Sequence, residues 1–256
     1  MDHLTSGNLY VKVAETEAEI ISAQELRYQV FYEEMGAVPN EEMQAQKREI
    51  DIYDPYCQHL LVVDQDSDAV VGTYRILTLE DAEQHGVPLY TEIEFDLSKL
   101  KNSGKRIMEV SRSCVAQAYR SKAAINLLWQ GIADLVVANH IDYLVGVPSL
   151  HGTDMKQHLS TLAYLQAFHL ADDSICPVSK DDNGVVIPEL DKTTIDVKRE
   201  FVKLPPLLKG YLRIGALIGQ GVYVDHQFNT VDVVIVVPIQ SIDARYQNHY
   251  IHKNDA

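Results

Sequence analysis

The segment Arg106-Ile-Met-Glu-Val-Ser-Arg-Ser-Cys-Val115, followed closely by Tyr119-Arg-Ser-Lys-Ala-Ala-Ile-Asn-Leu-Leu-Trp129, constrains the fold more than any other. It reads as a strand that carries Glu109 and Arg112, then a short basic loop, then a strongly apolar helix. Such a strand–loop–helix aims backbone N–H groups and the positive helix end at a bound anion. The charge there also runs against the rest of the chain. Residues 98–122 hold seven basic side chains against one acid, Glu109, in a 256-residue chain of net charge −15. A basic island in an acidic protein suits a negative ligand, and the lone carboxylate within it is a candidate base.

The acidic balance argues against nucleic acid, because phosphates would be repelled over most of the surface. Acids concentrate early: residues 1–97 hold twenty-one against five basic side chains. A second basic group, Lys198, Arg199, Lys203, Lys209 and Arg213, lies late in the chain. Three distant cysteines, Cys57, Cys114 and Cys176, argue against a disulfide framework and for a reducing cytoplasm. The histidines show no ligand pair at helical spacing and no Cys-x-x-Cys occurs, so no metal is expected. The N-terminus carries Asp2 and no signal-peptide pattern, and no apolar run is long enough to span a bilayer.

Leu9 to Val13 alternates as a strand. Ile20, Ile21, Ala23, Leu26, Val30, Phe31 and Met35 recur at the helical period, so Glu17 to Met35 reads as a helix stopped by Gly36. A polar, acidic loop is expected from Ala37 to Tyr56. His59 to Asp64 and Ala69 to Leu77 form a hairpin pattern. Residues 78–104 read as a polar connection with Phe95 and Leu97 as anchors. After the Glu109 strand come a helix over Lys122 to Asn139, a strand over Asp142 to Pro148 and a helix over Met155 to Leu170, capped by Thr153 or Asp154. Residues 171–200 are turn-rich, and the apolar stretches Leu204 to Val224 and Val231 to Val237 close the pattern. The order predicts an α/β (α+β) layer with mixed sheet pairing, and residues 1–256 read as a single domain.

Strand, helix, hairpin, strand, loop, helix, strand, helix resembles the acyltransferase fold of the Gcn5-related superfamily, a mixed central sheet flanked by helices. Within it, Arg27-x-x-x-Phe31, Asp51-x-x-Asp54, Gly72-Thr-Tyr-Arg75 and Glu109-Val-Ser111-Arg112 resemble the acyl-homoserine-lactone synthases. Longer phrases are closer to the bacterial ornithine N-acyltransferases that use acyl carrier protein. They include Arg27-Tyr-Gln-Val-Phe-Tyr-Glu-Glu-Met-Gly36, Val71-Gly-Thr-Tyr-Arg-Ile-Leu77, Leu204-Pro-Pro-Leu-Leu-Lys-Gly-Tyr-Leu-Arg213 and Asp225-x-x-Phe-Asn-Thr-x-Asp232. The resemblance spans about residues 20–240. It implies transfer of a fatty, usually 3-hydroxylated, acyl chain from acyl carrier protein to the α-amine of ornithine, giving lyso-ornithine lipid. No cofactor is implied beyond the phosphopantetheine arm of the carrier. Another amino acid such as glutamine, or a non-catalytic regulator that binds acyl carrier protein, are the alternatives.

In this frame Glu109 is the candidate general base, with Ser111 and Arg112 beside it as catalytic candidates; a Glu109–Arg112 pair of buried charges is the competing reading. Strict alternation puts Glu109 and Arg112 on opposite faces, so a shared site requires a bulge near Val110–Arg112. Arg27, Phe31, Asp51, Asp54 and Arg75 are substrate-binding candidates. Arg75 suits a carboxylate clamp or an ordinary salt bridge, and Asp51 and Asp54 suit the ornithine ammonium groups or plain solvated turns. Arg120, Ser121 and Lys122, with the N–H groups of Ala123 and Ala124, are the phosphopantetheine candidates. The superfamily's phosphate loop has glycines where this chain has Ala123 and Ile125, which hinders approach to a pyrophosphate and favours the single phosphate of a carrier protein. Cys114 as nucleophile, Tyr164 as proton donor to the leaving thiol and Leu127 to Trp129 as acyl pocket compete with plain core packing. A cytoplasmic protein is expected, with peripheral membrane contact through Leu204 to Leu217 open as an alternative to a core or lid segment.

Overall fold

The computed structural model describes residues 4–120, 122–180, 187 and 189–242, with the backbone alone for Lys122. The chain divides into two compact units. The first comprises residues 1–87, 110–140 and 244–256, the second residues 88–109 and 141–243. The Ile107–Val115 strand runs from one into the other.

In the first unit, strands Thr5–Ser6, Leu9–Val13, Gln58–Asp64 and Ala69–Thr78 pair antiparallel in that order, and residues 110–115 follow at the edge of Ala69–Thr78. The apolar alternation of the hairpin is nearly continuous because both faces are covered: Val71 to Thr78 are all buried, Arg75 included. The helix Glu17–Tyr28 opens with a capping box in which Thr16 accepts from the Glu19 N–H and Glu19 reaches back to the Thr16 N–H. The expected helix to Met35 changes register at Gln29, and Gln29–Glu34 is a π-helical turn. Within the expected 37–56 loop lie a short helix, Glu41–Gln46, and a 3-10 turn, Asp54–Tyr56.

The Lys122–Ala138 helix packs its Leu127, Leu128 and Ile132 inward. Its Gly131 permits close approach to the sheet: a Cβ there would lie 2.8 Å from Leu60 Cδ1 and 3.1 Å from Val11 Cγ2. Gly131→Ala is therefore expected to lower stability by about 1–3 kcal/mol through overpacking, despite alanine's better helix propensity. Urea denaturation checks it, and an unchanged midpoint would refute the tight fit.

In the second unit, residues 107–109 pair parallel with Tyr143–Gly146, which pairs antiparallel with Ile235–Pro238 and that in turn with Leu217–Ile218. A three-stranded antiparallel sheet joins Tyr223–Asp225, Thr230–Asp232 and Ser149–His151. The pairing is thus mixed, and helices Met155–His169, Val197–Lys203 and Pro206–Arg213 complete the unit. Asp154 caps the first of these, accepting from the Lys156 N–H. The 78–104 connection holds helix Leu79–His85, the 3-10 turn Tyr90–Ile93 and the fully buried anchors Phe95 and Leu97. Among the described residues, no helix is long and apolar enough to cross a membrane.

Candidate active site

In the first unit, three arginines and three carboxylates close into a ring of alternating charge. Arg27 Nε lies 2.6 Å from Glu49 and its Nη2 2.8 Å from Asp54. Arg75 Nη1 reaches Asp54 at 3.2 Å and Asp51 at 2.6 Å. Arg112 closes the circuit, 3.3 Å from Asp51 and 3.0 Å from Glu49. The six formal charges cancel, which is how so many ions are tolerated with Arg27, Glu49 and Arg75 at 1 % exposure or less. Asp51 and Arg112 are the members open to solvent, with side chains 17 % and 10 % exposed.

Each member comes from a different local device. Arg27 sits on the inward face of its helix, and Arg75, within the buried Val71 to Thr78 part of its strand, has no choice but to find carboxylates. Asp51 Oδ1 also accepts from the Tyr53 N–H and so shapes the turn that brings Asp54 inward. Gln24 donates to Asp54 at 2.7 Å, and the Asp54 carbonyl lies 3.1 Å from His59 Nε2. Burial first, then the neighbouring Arg27, lowers the His59 pKa, so its ring is neutral at physiological pH. Arg112 reaches the ring because the strand breaks its own pattern: its φ is +52°, a left-handed conformation rare for a non-glycine residue. Ser111 joins by accepting from Arg75 Nε at 3.2 Å. Phe31 is half-buried against Leu26, Val30 and Cys114.

The ring makes stability depend on acid pH. Burial opposes ionisation of Asp54, but the Arg27 and Arg75 guanidiniums outweigh it and hold its carboxyl at about 2, below the ordinary 3.8. A depressed value stabilises the folded state above the ordinary value and loses that contribution as pH falls through the depressed one. Denaturation at about pH 5 and about pH 2 is expected to show roughly 2 kcal/mol lost from this group. Asp54→Asn should flatten that window, and an unchanged acid dependence would contradict the coupling.

In the second unit, Glu109 is 1 % exposed. Its Oε1 accepts from the Thr91 N–H and the Thr91 hydroxyl, both at 2.6 Å, and its Oε2 from the Tyr90 N–H at 3.0 Å. Those donors fix the carboxylate and anchor the Tyr90–Ile93 turn. Sequence reasoning missed Thr91, as it missed Glu49 and His59.

Arg120 donates to the Val115 carbonyl at 3.0 Å and pairs with Glu34. Ala123 is half-buried and Ala124 fully buried at the helix start; Ser121 and the Lys122 side chain lie outside the described residues. The basic island is less bare than its sequence suggests: Lys99 pairs with Asp173, Lys101 with Glu92 and Lys105 with Asp142, at 2.5, 2.9 and 3.5 Å. Burial pushes the Cys114 thiol up to about 12, so at neutral pH it packs as a thiol rather than attacks as a thiolate. Tyr164 is 2 % exposed with its hydroxyl 2.9 Å from His169 Nε2.

Residues 26–130 match the acetyltransferase (GNAT) domain family. The chain is 38 % identical over 258 residues to the L-ornithine N(alpha)-acyltransferase of Agrobacterium fabrum, covering 95 % of this chain and 85 % of that one. It is 39 % identical over 251 residues to the enzyme of the same name from Rhizobium meliloti, covering 95 % and 84 %. A solved N-acyl amino acid synthase from uncultured soil microbes aligns over 91 % of each chain at 12 % identity, with a TM-score of 0.49. With more than a third of its residues shared along nearly its whole length, the chain belongs to the family of L-ornithine N(alpha)-acyltransferases.

Proposed function

We propose that the chain transfers a 3-hydroxy fatty acyl group from acyl carrier protein to the α-amine of L-ornithine, releasing lyso-ornithine lipid. The observation that carries the reaction and the acceptor is the identity, over 95 % of the chain, to enzymes named for acylating the α-nitrogen of ornithine. In this reading the amine nitrogen attacks the thioester carbonyl, the C–N bond forms, the C–S bond breaks, and the thiol leaves on the pantetheine arm with a proton.

Glu109 takes the ammonium proton, directly or through a water, and its fixed orientation supports that role. The left-handed turn of the strand at Arg112 supports oxyanion stabilisation by backbone N–H groups and side chains at Ser111 and Arg112. Arg27, Asp51, Asp54 and Arg75 act through the ring, as positioning residues that hold Arg112 in place. Ala123 and Ile125 at the usual glycine positions support a carrier-protein donor, with its phosphate near Arg120 and the Ala123 and Ala124 N–H groups. Exposed Val197 and Val202 beside the exposed Lys198 and Arg199 support peripheral contact with an anionic membrane, where a lipid product would leave.

Incubating the chain with 3-hydroxyhexadecanoyl carrier protein or 3-hydroxyhexadecanoyl coenzyme A and a pool of amino acids tests the reading. Acyl-ornithine from the carrier-protein donor is expected. Another acylated amino acid would overturn the acceptor, and equal turnover with coenzyme A would overturn the donor.

A further inference from the structure

The second unit carries a basic surface that its own acids leave uncompensated. Residues 196–213 hold five basic side chains against two acids, Asp196 and Glu200, in a chain of net charge −15. Both acids are committed locally. Asp196 caps the Val197–Lys203 helix by accepting from the Arg199 N–H at 3.1 Å. Glu200 is buried, where it accepts from the Thr161 hydroxyl at 2.9 Å and pairs with Lys203 at 2.6 Å. Among the described residues, Lys198, Arg199, Lys209 and Arg213 pair with no carboxylate. The lysines of the earlier basic island, Lys99, Lys101 and Lys105, each do.

The four cations also lie together. Val202 follows Glu200 by two positions, about 200° round the helix, so it faces away from the buried side. It is 72 % exposed. Lys198 and Arg199 stand four and three positions before it, the spacings that make neighbours on a helix surface. The next helix, Pro206–Arg213, continues the face. Lys209 Nζ donates to the Val202 carbonyl at 2.7 Å, and the Arg213 guanidinium lies over the Phe201 ring, 5.5 Å from its centre. An exposed apolar side chain is thus surrounded by cations that no described carboxylate neutralises.

We propose that this face docks the chain on an anionic lipid bilayer, with Val202 entering the headgroup layer and the four cations meeting lipid phosphates. The inference rests on the reading that the product is an acylated amino acid lipid, and names the surface that brings the chain to where such a product belongs. Each lysine or arginine near an anionic surface strengthens binding by about fivefold, so four supply roughly several hundredfold. An acidic protein would also meet the charge. The bilayer fits better, because an apolar centre with basic flanks along consecutive amphipathic helices is the pattern of an interfacial segment. The carrier protein, moreover, brings its own anionic handle, the phosphate assigned above to Arg120 in the first unit.

Sedimentation of the full chain with vesicles tests the surface without requiring turnover. Vesicles of equal parts phosphatidylglycerol and phosphatidylcholine are expected to bind the chain at least about tenfold more tightly than phosphatidylcholine alone. Raising salt from about 0.05 M to about 0.5 M should release it. Lys198→Glu with Arg199→Glu, at two exposed positions, should weaken binding about 100-fold or more with an unchanged melting temperature. Absence of binding to the anionic vesicles overturns the proposal, as does a double variant that binds like wild type. An equal loss from Lys99→Glu with Lys105→Glu, the same change in net charge, would mean general attraction and overturn the assigned surface. If wild type ignores vesicles and the Lys198 and Arg199 reversal instead raises the KM for acyl carrier protein, the face belongs to the carrier and the bilayer is ruled out. Acylation of ornithine without vesicle binding sinks this inference alone, whereas vesicle binding without acylation of ornithine sinks the proposed function and leaves the docking surface.

Discussion

Replacing Arg27 with methionine is expected to destabilise the chain by about 3–5 kcal/mol, the cost of leaving buried charges without their partner. Arg27 is fully buried, and besides its contacts to Glu49 and Asp54 its Nη2 donates to the Glu49 carbonyl at 2.7 Å. Methionine fills the volume but leaves two carboxylates and a carbonyl facing an apolar chain. The loss exceeds what a surface ion pair is worth several-fold, because water cannot enter to solvate the orphans. Arg27→Lys should recover only part of it, since one ammonium cannot span both acids as a guanidinium fork does. A urea midpoint within about 1 kcal/mol of wild type would mean that the ring is not a closed buried network. A ring of this kind does not make the fold stable on balance, because desolvating six ions offsets most of their attraction. What it secures is one arrangement, with the inward helix face, the acidic loop and two strands held in a single register.

Glu109→Gln is expected to lower kcat by about 10²–10⁴, the usual contribution of a positioned base. The substitution keeps one oxygen for Thr91 but turns an amide donor toward the other end of the carboxylate site. There the Tyr90 N–H now donates to Glu109 Oε2. That mismatch costs stability by about 1–3 kcal/mol. The two effects separate cleanly: a folded variant that has lost kcat by two decades or more, with KM for ornithine little changed, identifies a base. A variant that keeps its turnover but melts early identifies Glu109 as a staple for the Tyr90–Ile93 turn and nothing more.

Local periodicity made much of the fold legible. The hairpin Gln58–Asp64 and Ala69–Thr78, the helix from Lys122 and the helix from Met155 fall where their apolar spacing puts them. The π turn at Gln29–Glu34 was not legible, since its residues continue the helical pattern and only the hydrogen-bond register shifts. The 37–56 segment was the larger surprise. Its acids look like a solvated loop, yet Glu49 and Asp54 are drawn to 0 % and 5 % exposure by arginines far away in sequence. The signal for this was present in Arg75, a permanent cation in a strand with no other charge that is buried from Val71 to Thr78. It requires a buried acid but does not say which one. Arg112 was legible in the same partial way. Alternation puts it on the face opposite Glu109, and the left-handed conformation it adopts on its way to Glu49 and Asp51 is one that no propensity rule would place there. That Lys99 pairs with Asp173 while Lys198 and Arg199, among the described residues, pair with no carboxylate depends on tertiary proximity, which one sequence read locally cannot supply.

The most direct test of the central claim is the position of the new bond. Tandem mass spectrometry of the product from L-ornithine and 3-hydroxyhexadecanoyl carrier protein reads which nitrogen carries the acyl group. The account predicts an amide on the α-nitrogen with the side-chain amine intact. Acylation of the side-chain nitrogen, or of a hydroxyl on another acceptor while ornithine is left untouched, would contradict it.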